Sequence, residues 1–228
     1  MKPAALTLIP TPIDEVGPLN PVTLEFLQSV ALDENTLLLV EELKVARGRW
    51  LKWGLPRESI ERFIAFNEHS AQKLEVEIIQ EIKSGKRAII MSDGGLPAFC
   101  DPGQGLVNRC HQQGLTVTSA PFDNSIALTV ALSGFSHQQF FFAGFLPQKD
   151  PERSQALKHL WSRREVQIVM ETPYRRQKLL EELLKERPQN AKGRRVFIGL
   201  ELGKPDELLV QGSLEEVIKR TQGLEKLE

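Results

Sequence analysis

Cysteine is almost absent. The two in 228 residues, Cys100 and Cys110, supply neither a disulfide framework nor zinc-ligand spacing. Histidine is scarce as well: His69, His111, His137 and His159 are scattered, and without ligand spacing no metal site is expected. Aromatic residues make up 7 %, with a single tyrosine. No apolar run approaches the roughly 20 residues that span a bilayer. The short apolar stretch after Lys2 is broken by prolines and does not read as a signal peptide. Internal repeats and low-complexity segments are lacking too. These absences point to a soluble, cytoplasmic chain with no membrane partner. Net charge is also nearly missing, at −1, but it is unevenly spread. From Pro151 to Arg195 there are twelve Lys and Arg against six Asp and Glu. Such a basic field suits an anionic partner, although a solvated helix surface explains it equally well.

Hydrophobic residues reach 41 %, enough for one large domain or two small ones. The most informative stretch is Met91-Ser92-Asp93-Gly94-Gly95-Leu96-Pro97-Ala98-Phe99-Cys100-Asp101-Pro102-Gly103. It follows the strand-like run Arg87-Ala88-Ile89-Ile90. Paired glycines let a backbone approach a ligand and present its N–H groups, and prolines stiffen the loop. A loop leaving the carboxyl end of a strand in an open α/β sheet is the default ligand site. A tight connecting turn is the simpler alternative.

Strands are expected at Leu6–Ile9, Thr36–Val40, Arg62–Phe66, Arg87–Met91, Leu115–Ser119, from Phe140, at Val166–Met170, Val196–Leu200 and Glu207–Gln211. Helical spacing covers 22–31, 43–53, 68–84, 105–113, 125–132, 151–162, 175–185 and 213–220. Alternating strands and helices imply an α/β protein with mainly parallel or mixed sheets. Gly144-Phe145-Leu146-Pro147 reads as a hinge, dividing the chain into domains 1–143 and 144–228.

Seven segments in order then resemble one family: Leu8-Ile9-Pro10-Thr11-Pro12-Ile13, Val40-Glu41-Glu42, Ser92-Asp93-Gly94-Gly95-Leu96-Pro97, Asp101-Pro102-Gly103, Gly144-Phe145-Leu146-Pro147, Glu171-Thr172-Pro173-Tyr174-Arg175 and Glu201-Leu202-Gly203-Lys204. Together they are similar to the tetrapyrrole methylase superfamily, and within it to the small-subunit ribosomal RNA ribose 2′-O-methyltransferases. The resemblance implies two α/β domains, S-adenosylmethionine in a cleft between them, a homodimer, and ribosomal RNA or the small ribosomal subunit as partner. Four segments depart from the family pattern: Ile13-Asp14-Glu15-Val16, Glu41-Glu42-Leu43-Lys44, Pro121-Phe122-Asp123-Asn124 and Thr172-Pro173-Tyr174-Arg175. The family also adds an apolar strand beyond the position of Glu228.

By that resemblance the cofactor contacts fall on Pro10, Ser92, Asp93, Gly94, Gly95, Leu96, Asp101, Phe122, Asn124, Ser125, Met170, Glu171, Thr172 and Leu200. Gly94, Gly95 and Leu96 offer backbone contacts, and Asp93 and Asp101 offer charge. Asp101 before Pro102 serves equally as a turn former, and Met170 as core filler. A ribose hydroxyl is a weak nucleophile and calls for a base or a stabilising cation. Glu41, Glu42, Glu201 and Lys204, at strand ends, are the candidates. Arg175, Arg176, Lys178, Arg194 and Arg195 suit RNA phosphates. Two other readings stay open: methylation of a tetrapyrrole-like small molecule, and a catalytically silent RNA- or partner-binding homologue.

Overall fold

A computed structural model describes residues 4–12, 17–122 and 124–224. Ile13 to Val16 and Asp123, which belong to the departing segments, lie outside the described residues. The chain divides into two units, Met1–Phe122 and Asp123–Glu228.

The first unit is built on five parallel strands: β1 (Leu6–Ile9), β2 (Thr36–Val40), β3 (Phe63–Ala65), β4 (Arg87–Met91) and β5 (Val117–Ser119). Their order across the sheet is β3-β2-β4-β1-β5. Four helices make the crossovers: α1 (Pro21–Val30), α2 (Leu43–Lys52), α3 (Ala71–Lys83) and α4 (Gln104–Gln112). Side chains alternate across a strand, and here both faces are covered. Leu38, Val40, Ile89 and Met91 pack with Leu27 of α1 and with Ala46 and Trp50 of α2. Leu39, Ala88 and Ile90 pack on the other face with Ile78, Ile79 and Ile82 of α3 and Leu106 of α4. Such strands read as continuous apolar runs. Each aliphatic side chain buried this way contributes about 1.5–3 kcal/mol. Trp50 is fully buried, meets Phe63 edge-on at 5.2 Å, and donates its indole N–H to the Pro56 carbonyl at 2.9 Å.

The expected strand at Arg62–Phe66 is shorter, and Arg57–Arg62 forms a 3-10 turn before it. The Arg62 guanidinium explains this, because it donates to the carbonyls of Ala31, Asp33 and Thr36 at 3.1, 2.5 and 2.7 Å. The helix expected from Glu68 starts at Ala71. Asn67 Oδ1 accepts from the N–H groups of His69 and Ser70, turning the chain before the helix begins.

The second unit holds helix α5 (Ser125–Ser133), strands β6 (Phe140–Phe145) and β7 (Val166–Met170), and helices α6 (Glu152–Ser162) and α7 (Pro173–Glu186). These are followed by β8 (Arg195–Leu200), β9 (Leu208–Ser213) and α8 (Leu214–Thr221). β6 and β7 pair in parallel, and β8 and β9 form an antiparallel hairpin. Leu146, Leu157, Leu160 and Leu179 form one core, and Leu180, Val210, Leu214 and Val217 another. A Ser213–Glu216 capping box starts α8, satisfying two end donors reciprocally.

The unit boundary at 122/123 differs from the expected 143/144. Helix α5 accounts for the difference, since it packs on β8 and its Ser133 carbonyl accepts from Gln211 of β9 at 2.6 Å. Gly144 and Phe145 belong to β6, where the register shifts between Phe142 and Gly144.

Candidate active site

Strand order decides where the first unit can bind a ligand. β1 and β4 are neighbours, yet the chain leaves β1 through α1 on one face and β4 through α4 on the other. Departure to opposite faces opens a crevice at the carboxyl ends of these two strands. The loops at that edge are Pro10–Pro12 and 92–103. They are stitched together by a two-way backbone bridge, Thr11 to Gly95 and back, at 2.9 Å each. Thr11 is 1 % exposed, and its hydroxyl donates to the Ser92 carbonyl at 3.1 Å.

The second loop is tightly wound. Gly95 has φ +100°, and Ala98 and Cys100 sit at +65° and +64°, a region that costs a residue with a Cβ about 1–3 kcal/mol. Hydrogen bonds from Ala98 N–H to the Pro102 carbonyl and from Phe99 N–H to the Leu96 carbonyl hold it. At Gly103, φ +127°, a Cβ would stand 3.0 Å from Ile90 Cδ1. At Gly95 a Cβ would meet nothing within 4 Å, so this glycine faces open space.

Four carboxylates gather at this edge. Glu41 accepts the Asp93 N–H at 3.0 Å, and Asp93 accepts the Glu42 N–H at 3.2 Å. Glu42 caps α2 by accepting from the Lys44 N–H, as acidic N-caps do. Burial pushes the Asp93 carboxyl upward, with Glu41 and Glu42 adding to the rise. Asp101 is pushed up to about 6, first by burial and then by repulsion from Glu41, against the Ser92 hydroxyl, which favours its charged form. Arg49 stands behind the cluster. It is 6 % exposed, donates to the Pro12 carbonyl at 2.8 Å and lowers the Asp93 carboxyl. Sequence reading missed Arg49, although its i+3 and i+4 spacing from Ala46 and Val45 sets it on the apolar side of α2 beside Trp50.

The structure thus brings Pro10, Ser92, Asp93, Gly94, Gly95, Leu96 and Asp101 together with Glu41 and Glu42. Phe122, half-buried, follows β5 in the same unit. Asn124 and Ser125 begin α5, and the Asn124 side chain is the N-cap, accepting from Ile126 and Ala127 N–H.

In the second unit, Met170 ends β7 and is followed by Glu171 and Thr172, and Leu200 ends β8, with Glu201 and Lys204 in the turn to β9. The Glu171 side chain is 4 % exposed and is committed within the chain. Its Oε1 accepts from Thr172 N–H at 2.9 Å and from Arg175 at 2.9 and 2.7 Å, while Oε2 lies 3.7 Å from Arg153. Arg153 also pairs with Glu182 at 2.6 Å. Glu201 is buried, with φ +50°, and forms an ion pair with Lys204 in the hairpin turn. It therefore serves the turn.

The expected phosphate-binding cations separate by exposure. Arg176 is 6 % exposed and reaches the Leu224 carbonyl, which corrects its assignment to a surface role. Arg175 is held by Glu171, Arg194 lies over Trp161 at 5.7 Å, and Arg195 bonds Gln211. Lys178, with 67 % of its side chain exposed, approaches Glu182 at 3.8 Å. Among the described residues there is no cluster of three potential metal ligands, and no helix long and apolar enough to cross a membrane.

Comparison with known proteins gives a consistent picture. The family model described as Tetrapyrrole (Corrin/Porphyrin) Methylases matches residues 32–218. The chain is 32 % identical over 213 residues to the ribosomal RNA small subunit methyltransferase I of Thermotoga maritima, covering 93 % of this chain and 90 % of the relative. It is 32 % identical over 214 residues to the protein of the same name from Bacillus subtilis, covering 93 % and 68 %. Among solved structures it resembles a diphthine synthase, with a TM-score of 0.60 at 12 % identity over 94 % of this chain and 83 % of that one. At that identity the likeness concerns the fold alone.

Proposed function

The chain belongs to the tetrapyrrole methylase family, and we propose that it transfers a methyl group from S-adenosylmethionine to a ribose 2′-hydroxyl of small-subunit ribosomal RNA. The observation that carries this reading is the cluster of carboxylates at the carboxyl edge of the first unit's sheet. A cation is the ligand such an edge favours, and S-adenosylmethionine carries both a sulfonium and an ammonium. Asp93, Asp101 and Glu41 would supply the negative field, and Gly95 would let the backbone come close, having open space where a Cβ would stand. The bound cofactor supplies a methyl carbon already activated by its sulfonium.

Alignment of an acceptor with that carbon can contribute about 7–11 kcal/mol. This chain's own share is to hold the loop rigid and to manage a proton. The Thr11–Gly95 bridge and the Glu41–Asp93 bond do the first. For the second, Asp101 joins the candidates Glu41, Glu42, Glu201 and Lys204. With a carboxyl pushed up to about 6, it accepts a proton from a hydroxyl near neutral pH far better than an ordinary carboxylate. Glu41 and Glu42 are occupied in orienting the loop and capping α2, and Glu201 and Lys204 in their turn.

The acceptor is inferred from the relatives, which are named as ribosomal RNA small subunit methyltransferases. By the same family reading the active form is a cytoplasmic homodimer, which light scattering tests. The decisive experiment incubates the protein with methyl-labelled S-adenosylmethionine and either ribosomal RNA or isolated small subunits. Label in ribose 2′-O-methyl nucleosides is expected. Label in precorrin-type substrates instead, or no cofactor binding at all by calorimetry, refutes the reading.

A further inference from the structure

Singly exposed apolar residues are ordinary on a protein surface. Two large aromatic rings at one sheet edge are not. Phe145 closes β6, is 50 % exposed, and stands in register with Met170, the last residue of β7. Four residues further along, Tyr174, the only tyrosine in the chain, is 74 % exposed in the first turn of α7. Both rings therefore stand at the carboxyl ends of a parallel strand pair, the edge where α/β folds bind ligands. Lys178 follows Tyr174 by one helical turn, with 67 % of its side chain exposed and a 3.8 Å contact to Glu182. Residues four apart on a helix are surface neighbours.

We infer that Phe145 and Tyr174 form a stacking platform for an unpaired base of an RNA acceptor, with Lys178 taking the adjoining phosphate. This rests on the RNA reading above and gives it a binding residue set. The chemistry selects single-stranded RNA. Every base has a π-face, so stacking on an exposed ring is tolerant of sequence, and a neighbouring lysine ammonium adds a salt-dependent phosphate contact. The arginines on the same helix do not compete for this role, because Arg175 is held by Glu171 and Arg176 is buried.

The test uses the full chain loaded with S-adenosylhomocysteine and a short fluorescein-labelled single-stranded RNA, read by anisotropy across a salt series. Tyr174→Ala and Phe145→Ala are each expected to weaken binding about 5- to 100-fold, the range that one lost base stack produces. Tyr174→Phe keeps the ring and is expected to bind within about twofold of wild type, by the same stacking logic. Lys178→Gln is expected to reduce the slope of log affinity against log salt by about 0.7. Calorimetric binding of S-adenosylhomocysteine should be unchanged in all four variants. If Phe145→Ala proves unstable, Tyr174→Ala carries the test, since its ring is outside the core.

Wild-type RNA binding that survives Tyr174→Ala overturns this inference alone and leaves the rings to a protein contact. Wild type that binds S-adenosylhomocysteine but no RNA overturns both this inference and the RNA acceptor.

Discussion

Replacing Asp101 by Asn separates the energetic cost of the site from its use. The carboxyl stands at about 6 in the folded chain against 3.8 in an unstructured one. At about 1.36 kcal/mol per pKa unit, that rise makes the charged form about 3 kcal/mol less favourable in the native state. Solvent reaches part of the group and screens it, so about 1–3 kcal/mol is the expected size. The sign follows from proton binding. Below about pH 3 both states hold the proton and the native state bears no penalty. Between about 4 and 6 the native state holds more protons than the unfolded one, so stability falls as pH rises. Above about 6 the full cost is present. Asn has the same shape and cannot ionise. Asp101→Asn should therefore match wild type in stability at about pH 3 and exceed it by about 1–3 kcal/mol at pH 8. Urea unfolding followed by tryptophan fluorescence reads this, because Trp50 and Trp53 both lie in the first unit. The same variant should lose about 10²–10⁴-fold in methyl transfer and the acid limb of its pH profile. A stability difference that does not change with pH, or a variant less stable than wild type at pH 8, would refute the reasoning.

Arg49→Met should cost about 1–3 kcal/mol by leaving the half-buried Pro12 carbonyl without this donor. It should also raise the Asp93 carboxyl further, which carbon-detected NMR titration of Asp93 would show; an unmoved Asp93 would contradict the placement of Arg49. Gly105→Ala places a Cβ 2.1 Å from Glu75 Oε1, so the Glu75–Arg109 pair at 2.6 Å must shift, at about 1–3 kcal/mol; an unchanged urea midpoint would rule this out. Glu171→Gln removes the anion between Arg153 and Arg175 and should cost about 3–5 kcal/mol. If calorimetry shows S-adenosylhomocysteine affinity lost with stability intact, Glu171 belongs to a ligand site and not to the network.

The parallel strands of the first unit were readable because both their faces are buried. Leu38-Leu39-Val40 and Ala88-Ile89-Ile90-Met91 are apolar at every position, and Gly, Pro and polar residues mark their ends. The Gly94-Gly95 loop was readable locally as well, since Gly95 takes φ +100°, which glycine adopts freely, whereas the left-handed turns at Ala98 and Cys100 carried no such mark. The chain order of seven short segments was enough to point to the family. Side-chain commitments were not readable in this way. Glu171, Glu201 and Arg176 look like surface charges in a linear sequence, and partners distant along it, such as Arg153 or the Leu224 carbonyl, take them out of solvent.

Local periodicity and the steric demands of single residues act over a few positions, and so the sequence by itself determined the elements, the loop and the α/β class. The order β3-β2-β4-β1-β5, the place of α5 in the second unit, and the meeting of Glu41, Asp93 and Asp101 depend on contacts between residues tens of positions apart. Only the tertiary structure decided these. The rise of the Asp101 carboxyl is the clearest case, because burial and a neighbouring charge are properties of an assembled site and of no single residue within it.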